Sequence, residues 1–117
     1  MLYYLLVLSL VTLVLQVAAQ APPGPSINTP ASLVQCQPTQ LTWNATHTPV
    51  WISCIPGGNP SAPPLKDLGQ HNGTSLTWIV DLPKDTLTTF QLRDMMGAVA
   101  YTAPLTVQGS SDSSCVH

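Results

Sequence analysis

The sequence contains no glutamate and few charged residues of either sign. Three Lys or Arg residues stand against five Asp residues in 117, and the formal net charge is −2. A nucleic-acid-binding surface needs clustered Lys and Arg to neutralise phosphates, and this chain has no basic patch, so we expect no nucleic-acid partner. Helix formers never cluster at helical spacing after residue 19, and twelve prolines interrupt the chain. The composition therefore predicts an all-β protein.

Side chains that carry out catalysis or bind metals are also scarce. His47, His71 and His117 are far apart in sequence, and neither His-x-His nor Cys-x-x-Cys spacing occurs. Asp81 and Asp85 are the nearest carboxylates, but they flank a Pro-Lys turn where acidic residues are common. We expect the histidines to lie exposed in polar loops. The sequence thus predicts no enzyme, no metal and no cofactor.

One long hydrophobic run is present, at the N-terminus. Residues 2–15 are almost entirely apolar, and Val17-Ala18-Ala19 supplies the small residues that signal peptidase requires. Residues 1–19 are therefore predicted to be a secretory signal peptide, and the mature chain would begin at Gln20. The alternative is an uncleaved anchor, since no Lys or Arg precedes the run. A spanning helix needs about 20 apolar residues, however, and this run stops at Gln16.

The remainder is predicted to be one small domain with loose ends. Residues 20–31 hold four prolines and form an extended lead-in. Residues 32–109 form the folded domain, and residues 110–117 are a C-terminal tail that carries Cys115. We expect a monomer with no membrane span once the signal peptide is removed.

Alternating polar and apolar residues predict the strands of this domain. The clear runs are 40–44, 50–55, 75–82, 88–93 and 98–108, with a brief segment at 65–68. About seven short strands with regular turns predict an immunoglobulin-like β-sandwich. Pro104 falls inside the last run, which indicates an edge strand or a bulge. Val99 and Tyr101 share the parity of Leu105 and Val107, so all four are expected on one face.

Alternation along the predicted strands gives the three tryptophans different orientations. Trp43 and Trp78 have the parity of core residues. If Val50, Ile52 and Cys54 face inward, the indole of Trp51 points outward. An exposed indole can stack on the C–H face of a sugar ring, which makes Trp51 the candidate ligand platform, but burial of Trp51 under the lead-in or a loop is the favoured interpretation. Arg93 and Asp94, which are adjacent to each other in sequence, are expected to form a turn-stabilising pair.

Two Asn-x-Thr sequons predict N-glycosylation, at Asn44 and Asn72. Alternation along 40–44 places Asn44 on the outward face of its strand. Asn72-Gly73 is a strong turn dipeptide, and a turn tip leaves room for a glycan. Both asparagines are therefore expected to be exposed.

Three cysteines in a secreted chain leave one unpaired. Cys36 precedes the first clear strand and Cys115 follows the last, so a bond between them would join the two ends of the domain. Cys54 shares a strand face with Val50 and Ile52, where a free thiol behaves as a small hydrophobe. Pairing of Cys54 with Cys36, and dimerisation through a free thiol, remain alternatives.

Several segments, in this order, resemble fungal Ser/Thr-rich, GPI-anchored cell-wall proteins. The extracellular domain of those proteins is also similar to the N-terminal domain of yeast proteins linked to β-glucan assembly. The resemblance spans about residues 36–115 and is carried by Cys36-Gln37-Pro38-Thr39-Gln40-Leu41-Thr42-Trp43, Pro56-Gly57-Gly58-Asn59-Pro60-Ser61, Thr74-Ser75-Leu76-Thr77-Trp78-Ile79-Val80-Asp81, Leu92-Arg93-Asp94 and Ala103-Pro104-Leu105-Thr106-Val107-Gln108.

The resemblance implies an exported immunoglobulin-like domain in or on the cell wall, with wall polysaccharide such as β-glucan as a partner. It supplies no catalytic residues. Family members continue into a Ser/Thr stalk and an anchor signal, whereas this sequence stops at His117. We therefore expect release into the wall space or medium, as a structural or weakly polysaccharide-binding protein. The alternative is a freely secreted, effector-like protein that binds a protein partner.

Overall fold

The computed structural model describes residues 24–116. The predicted signal peptide, the first four residues of the lead-in and His117 lie outside this range. The described residues form nine strands and no helix: β1 (Ser26–Ile27), β2 (Leu33–Val34), β3 (Pro38–Asn44), β4 (Val50–Pro56), β5 (Lys66–His71), β6 (Ser75–Ile79), β7 (Leu87–Arg93), β8 (Val99–Tyr101) and β9 (Leu105–Gln108).

The strands form two sheets. The smaller sheet has the order β1-β3-β6, and the larger has the order β2-β9-β7-β4-β5 with β8 beside β7. β2 runs parallel to β9, and every other pair is antiparallel. The predicted all-β class and the β-sandwich are confirmed.

The core lies between the two sheets and contains the apolar positions of each alternating run. Leu41 and Trp43 of the smaller sheet and Val50, Ile52 and Phe90 of the larger sheet are buried. Trp78 packs its ring edge-on against Phe90, with the ring centres 5.7 Å apart. Such pairs contribute about 0.5–1.5 kcal/mol beyond the area that they bury. The predicted core placement of Trp43 and Trp78 is confirmed.

The smaller sheet begins inside the segment predicted as a lead-in. β1 pairs with β3 through Ser26 opposite Asn44 and Ile27 opposite Trp43. The Ile27 side chain is buried in the core. A strand of two residues is too short to produce an alternating pattern, so the sequence carried no signal for it.

The break at Pro104 reverses the parity of the last predicted strand. β8 ends at Tyr101 and β9 begins at Leu105. Val107 is buried, whereas Val99 and Tyr101 are 44% and 45% exposed. The expectation that all of these residues share one face is therefore wrong. Because side chains alternate with a period of two, the irregular residues between the strands turn Val99 and Tyr101 outward.

A disulfide joins the two ends of the domain. Cys36 and Cys115 are bonded, with their Cα atoms 5.6 Å apart. Cys54 is a free, buried cysteine. The bond ties the C-terminal tail to the residues that precede β3, so the predicted pairing is confirmed.

Within residues 24–116, no helix is both long and apolar enough to cross a membrane.

Candidate functional site

The outer face of the larger sheet presents an exposed tryptophan. Val50, Ile52 and Cys54 of β4 are completely buried, so the residues between them point away from the core. Trp51 is 36% exposed, in agreement with the outward orientation that alternation predicts. The described residues of the lead-in, 24–31, do not line the groove beside Trp51.

Strand register determines which side chains surround the indole. Trp51 pairs with Gln70 of β5 and with Arg93 of β7. One step along β4, Ser53 pairs with Asp67 and with Gln91. Side chains of directly paired residues lie on the same face of a sheet. Trp51 is therefore bordered mainly by polar side chains.

Arg93 contacts Trp51 and not Asp94. Its guanidinium carbon lies 5.7 Å from the centre of the Trp51 ring, which is a cation–π contact. Asp94 is buried, and its carboxylate accepts hydrogen bonds of 2.9 Å from the backbone N–H groups of Met96 and Ala98. The predicted Arg93–Asp94 pair is wrong because neighbouring residues at the end of a strand point to opposite faces. Asp94 instead shapes the turn alone.

The loop between β4 and β5 folds over the same face. It covers Ile55, which has the outward parity of Trp51 but is buried. Backbone hydrogen bonds hold both ends of the loop, from Gly57 to Leu87 at 3.0 Å and from Leu65 to Cys54 at 2.7 Å. A Cβ atom at Gly57 would lie 2.4 Å from the Leu87 side chain, so a larger residue would require Leu87 to shift. The loop is thus a fixed wall beside the sheet.

Two neighbouring grooves run along the loop. The larger, of about 350 Å³, is lined by Trp51 and Arg93 at the sheet and by Pro60, Ala62 and Pro64 of the loop. The smaller, of about 170 Å³, is lined by Tyr101, Pro104 and Thr89, among others. Both contain Ile55 and Pro60 in their linings. They therefore form one elongated surface with an aromatic residue in each part.

Charge on this surface is balanced. Among the lining residues, Arg93 and Asp67 carry opposite charges, and the remaining polar side chains are neutral. Asp67 accepts a hydrogen bond of 2.8 Å from the Gly69 backbone at a bulge in β5. The arrangement suits a neutral ligand with many hydroxyl groups, since amide and hydroxyl side chains both donate and accept hydrogen bonds.

The predicted glycosylation sites are not among the residues that line the grooves. Asn44 ends β3 in the smaller sheet, and Asn72 lies in the turn between β5 and β6. Both residues are exposed. Neither lines either groove. Their exposure agrees with the expected placement, while glycan attachment stays a prediction.

The titratable residues considered in the sequence are dispersed. His47 is exposed, whereas His71 is half-buried, contrary to expectation, with Nε2 2.8 Å from the Leu68 carbonyl oxygen. Asp81 forms an ion pair with Lys66, and Asp85 lies in a turn with φ of 69°. Within residues 24–116, no three His, Cys, Asp or Glu side chains form a group that could hold a metal ion.

The surroundings of Cys54 lower the reactivity of its thiol. Burial and, to a smaller extent, the negative charge of Asp81 raise the pKa of the Cys54 thiol from its ordinary value of 9.0 to about 12. The thiolate is the nucleophilic form of cysteine. The buried thiol is therefore unreactive at neutral pH.

The sequence did not identify Tyr101 or Gln91 as members of this surface. Tyr101 pairs with Gln91 across β7 and β8, which requires the parity reversal at Pro104. The signal that could have found Tyr101 was Pro104 itself, because a proline inside a strand marks a break in the ladder. Gln91 follows from its register with Ser53, which sequence alone does not give.

The chain is similar to known proteins in structure, at low sequence identity. No family model matches the chain, and no curated protein matches it. Among solved structures, the chain is similar to superoxide reductase (neelaredoxin) from Ignicoccus hospitalis, with a TM-score of 0.44 and 14% identity over 74% of this chain and 80% of that one.

This neighbour corrects one expectation from the sequence. The prediction that the chain is not an enzyme is contradicted, because the similar solved structure is that of an enzyme, and we withdraw it. A similarity at this TM-score assigns no activity to the present chain either. The site must therefore be interpreted from its own residues.

Proposed function

We propose that this chain is a secreted glycoprotein of the fungal cell surface that binds neutral wall polysaccharide, β-glucan in particular, through the outer face of its larger sheet. The predicted signal peptide and the family resemblance support export and residence in or near the wall. The Cys36–Cys115 disulfide is typical of proteins in oxidising compartments.

The observation that carries the proposal is the environment of Trp51. A large indole is exposed on the sheet between two polar cross-strand partners, Gln70 and Arg93, and Arg93 contacts its ring. Aromatic rings that present an apolar face beside hydrogen-bonding groups match the amphipathic character of sugar rings. Gln91 and Ser53 line the same groove as Trp51, where their side chains can form hydrogen bonds with sugar hydroxyl groups.

A second candidate function is the binding of a protein partner by a freely secreted protein. Met95 and Met96 are 62% and 69% exposed at the turn between β7 and β8. Methionine is flexible and polarisable, and it is enriched at adaptable binding surfaces. The turn contributes no residue to the two grooves, so mutations can separate the two functions.

Co-sedimentation of the secreted protein with insoluble β-glucan and with chitin tests the first proposal. We expect β-glucan to retain the wild-type protein. Retention should be lost in Trp51→Ala and kept in a Met95→Ser/Met96→Ser variant. Ile79→Ala is the matched control, because Ile79 is an exposed hydrophobe on the smaller sheet. Absence of retention on β-glucan contradicts the proposal; retention on chitin alone would replace its ligand.

A further inference from the structure

We propose that the outer face of the larger sheet binds an internal stretch of a linear neutral glucan in two aromatic subsites, one at Trp51 and one at Tyr101. This inference rests on the proposed function and adds a second subsite, a minimum ligand length and a direction across the strands. Tyr101 had no assigned role in the sequence.

Tyr101 lies on the same face as Trp51. It pairs with Gln91, while its neighbour Ala100 pairs with Leu92 and packs against the core. Gln91 also pairs with Ser53 of β4, which shares its strand face with Trp51. The phenol ring is therefore directed outward, in agreement with its exposure of 45%.

The separation of the two rings sets the length of the ligand. Trp51 is paired with Arg93 and Tyr101 with Gln91, so the aromatic residues stand two strands apart and two residues out of step. Strand spacing and rise per residue then place their Cα atoms roughly 12 Å apart. This Cα separation is longer than one sugar ring, so we expect the two subsites to bind different sugar units of one chain.

Polar side chains connect the subsites. Gln91 occupies the diagonal between the rings and is half-buried, with Ser53 beside it. An amide and a hydroxyl can each donate and accept hydrogen bonds, as the hydroxyl groups of a central sugar unit require. The ligand would thus run obliquely across β4, β7 and β8.

The loop wall borders both parts of this path. Pro60 and Ile55 line both grooves, so the two grooves adjoin along these residues. Backbone hydrogen bonds hold the loop at Gly57, Asn59 and Leu65. A wall that is already ordered reduces the entropy lost on binding, which favours recognition of a flexible polymer.

The charges favour a neutral chain over an acidic one. Arg93 and Asp67 both line the larger groove and offset each other. The smaller groove around Tyr101 contains no ionic side chain among its described lining residues. For an acidic polysaccharide, attraction to Arg93 would be offset by repulsion from Asp67. Uronic acid polymers should therefore bind more weakly than glucans.

Calorimetric titration with β-glucan oligosaccharides, from the disaccharide to the hexasaccharide, tests the inference on the full secreted protein. Affinity is expected to rise steeply at the length that spans both rings and then to level off. Tyr101→Thr, which keeps a β-forming residue in β8, should remove this rise and weaken binding of the longest ligand about 2- to 12-fold. Tyr101→Phe keeps the ring and should retain the rise.

The two levels of the proposal fail differently. If Tyr101→Thr binds all lengths as the wild type does while Trp51→Ala loses binding, the second subsite is wrong and the proposed function stands. If the wild-type protein binds neither the oligosaccharides nor insoluble β-glucan, both are wrong. Ile79→Ala should match the wild type throughout, and circular dichroism of each variant checks that the fold is intact.

Discussion

The guanidinium group of Arg93 lies against the ring of Trp51, 5.7 Å from its centre. The two residues are opposite each other in the register of β4 and β7, so the contact follows directly from strand pairing. We expect this contact to restrict rotation of the indole and so to orient an exposed aromatic side chain before any ligand binds.

Arg93→Ala tests whether this orientation contributes to binding. A cation–π contact at an exposed site is worth about 0.5–1 kcal/mol. In the variant, the Trp51 side chain must instead be ordered when the ligand binds. If this costs as much as the lost contact, the variant should bind β-glucan about two- to five-fold more weakly. Arg93→Lys keeps the positive charge and is the matched control. Binding by Arg93→Ala equal to that of the wild type would show that the contact does not prepare the site.

The disulfide should supply a large part of the stability of this small domain. Cys36 and Cys115 are separated by 79 positions in sequence. The chain-entropy model gives about 4.5 kcal/mol for closing a loop of this length. The double variant Cys36→Ser/Cys115→Ser should lose up to that amount in free energy of unfolding, measured by urea denaturation. A loss of less than about 1 kcal/mol contradicts the expectation.

Cys54 should make stability decline at alkaline pH. Its folded pKa, about 12, is higher than the ordinary value of 9.0 expected in the unfolded chain. Below pH 9 the thiol is protonated in both states, and its contribution is fully present. Between pH 9 and 12 only the unfolded state loses the proton, so stability falls by up to about 1.4 kcal/mol per pH unit.

Urea denaturation across this pH range measures the effect, with Cys54→Ala as the control. The variant lacks the thiol and should show a shallower decline than the wild type. Parallel declines would show that other groups account for the alkaline sensitivity. In the native protein at pH 8, a thiol reagent should modify no cysteine, whereas one cysteine should react after denaturation.

Glycosylation should leave the binding face free. Asn44 belongs to the smaller sheet and Asn72 to a turn outside both grooves. In a secreting eukaryotic host, Asn44→Gln and Asn72→Gln should each remove one glycan, detected by intact mass, without changing retention on β-glucan. A variant whose mass differs from that of the wild type only by the methylene group that the substitution adds has a sequon that is not used. Altered retention would show that a glycan reaches the face.

Local patterns predicted the features that depend on one strand at a time. The outward orientation of Trp51 follows from the alternation of Val50, Ile52 and Cys54 around it, and burial of all three agrees with it. The pairing of Cys36 with Cys115 follows from their positions outside the predicted strands. The orientation of Trp51 depends on its nearest neighbours in sequence. The disulfide depends on where the three cysteines lie relative to the predicted strands.

Features that depend on several strands were not predicted. Tyr101 faces outward only because the chain breaks at Pro104, and a proline marks such a break without giving its length. The Arg93–Trp51 contact requires the register of β4 and β7. The groove wall requires the close approach of Gly57 to Leu87. Register and long-range packing are set by the whole core, so no local pattern contains them.

The most direct test of the account is to observe the three indole N–H groups while a soluble β-glucan oligosaccharide is added. The indole nitrogens of Trp43 and Trp78 are buried, whereas Trp51 is exposed. In a ¹⁵N-labelled protein, each tryptophan gives one indole signal, and Trp51→Phe identifies that of Trp51. We predict that this signal shifts progressively to saturation while those of Trp43 and Trp78 stay in place. A Trp51 signal that does not move at saturating oligosaccharide would contradict the central claim.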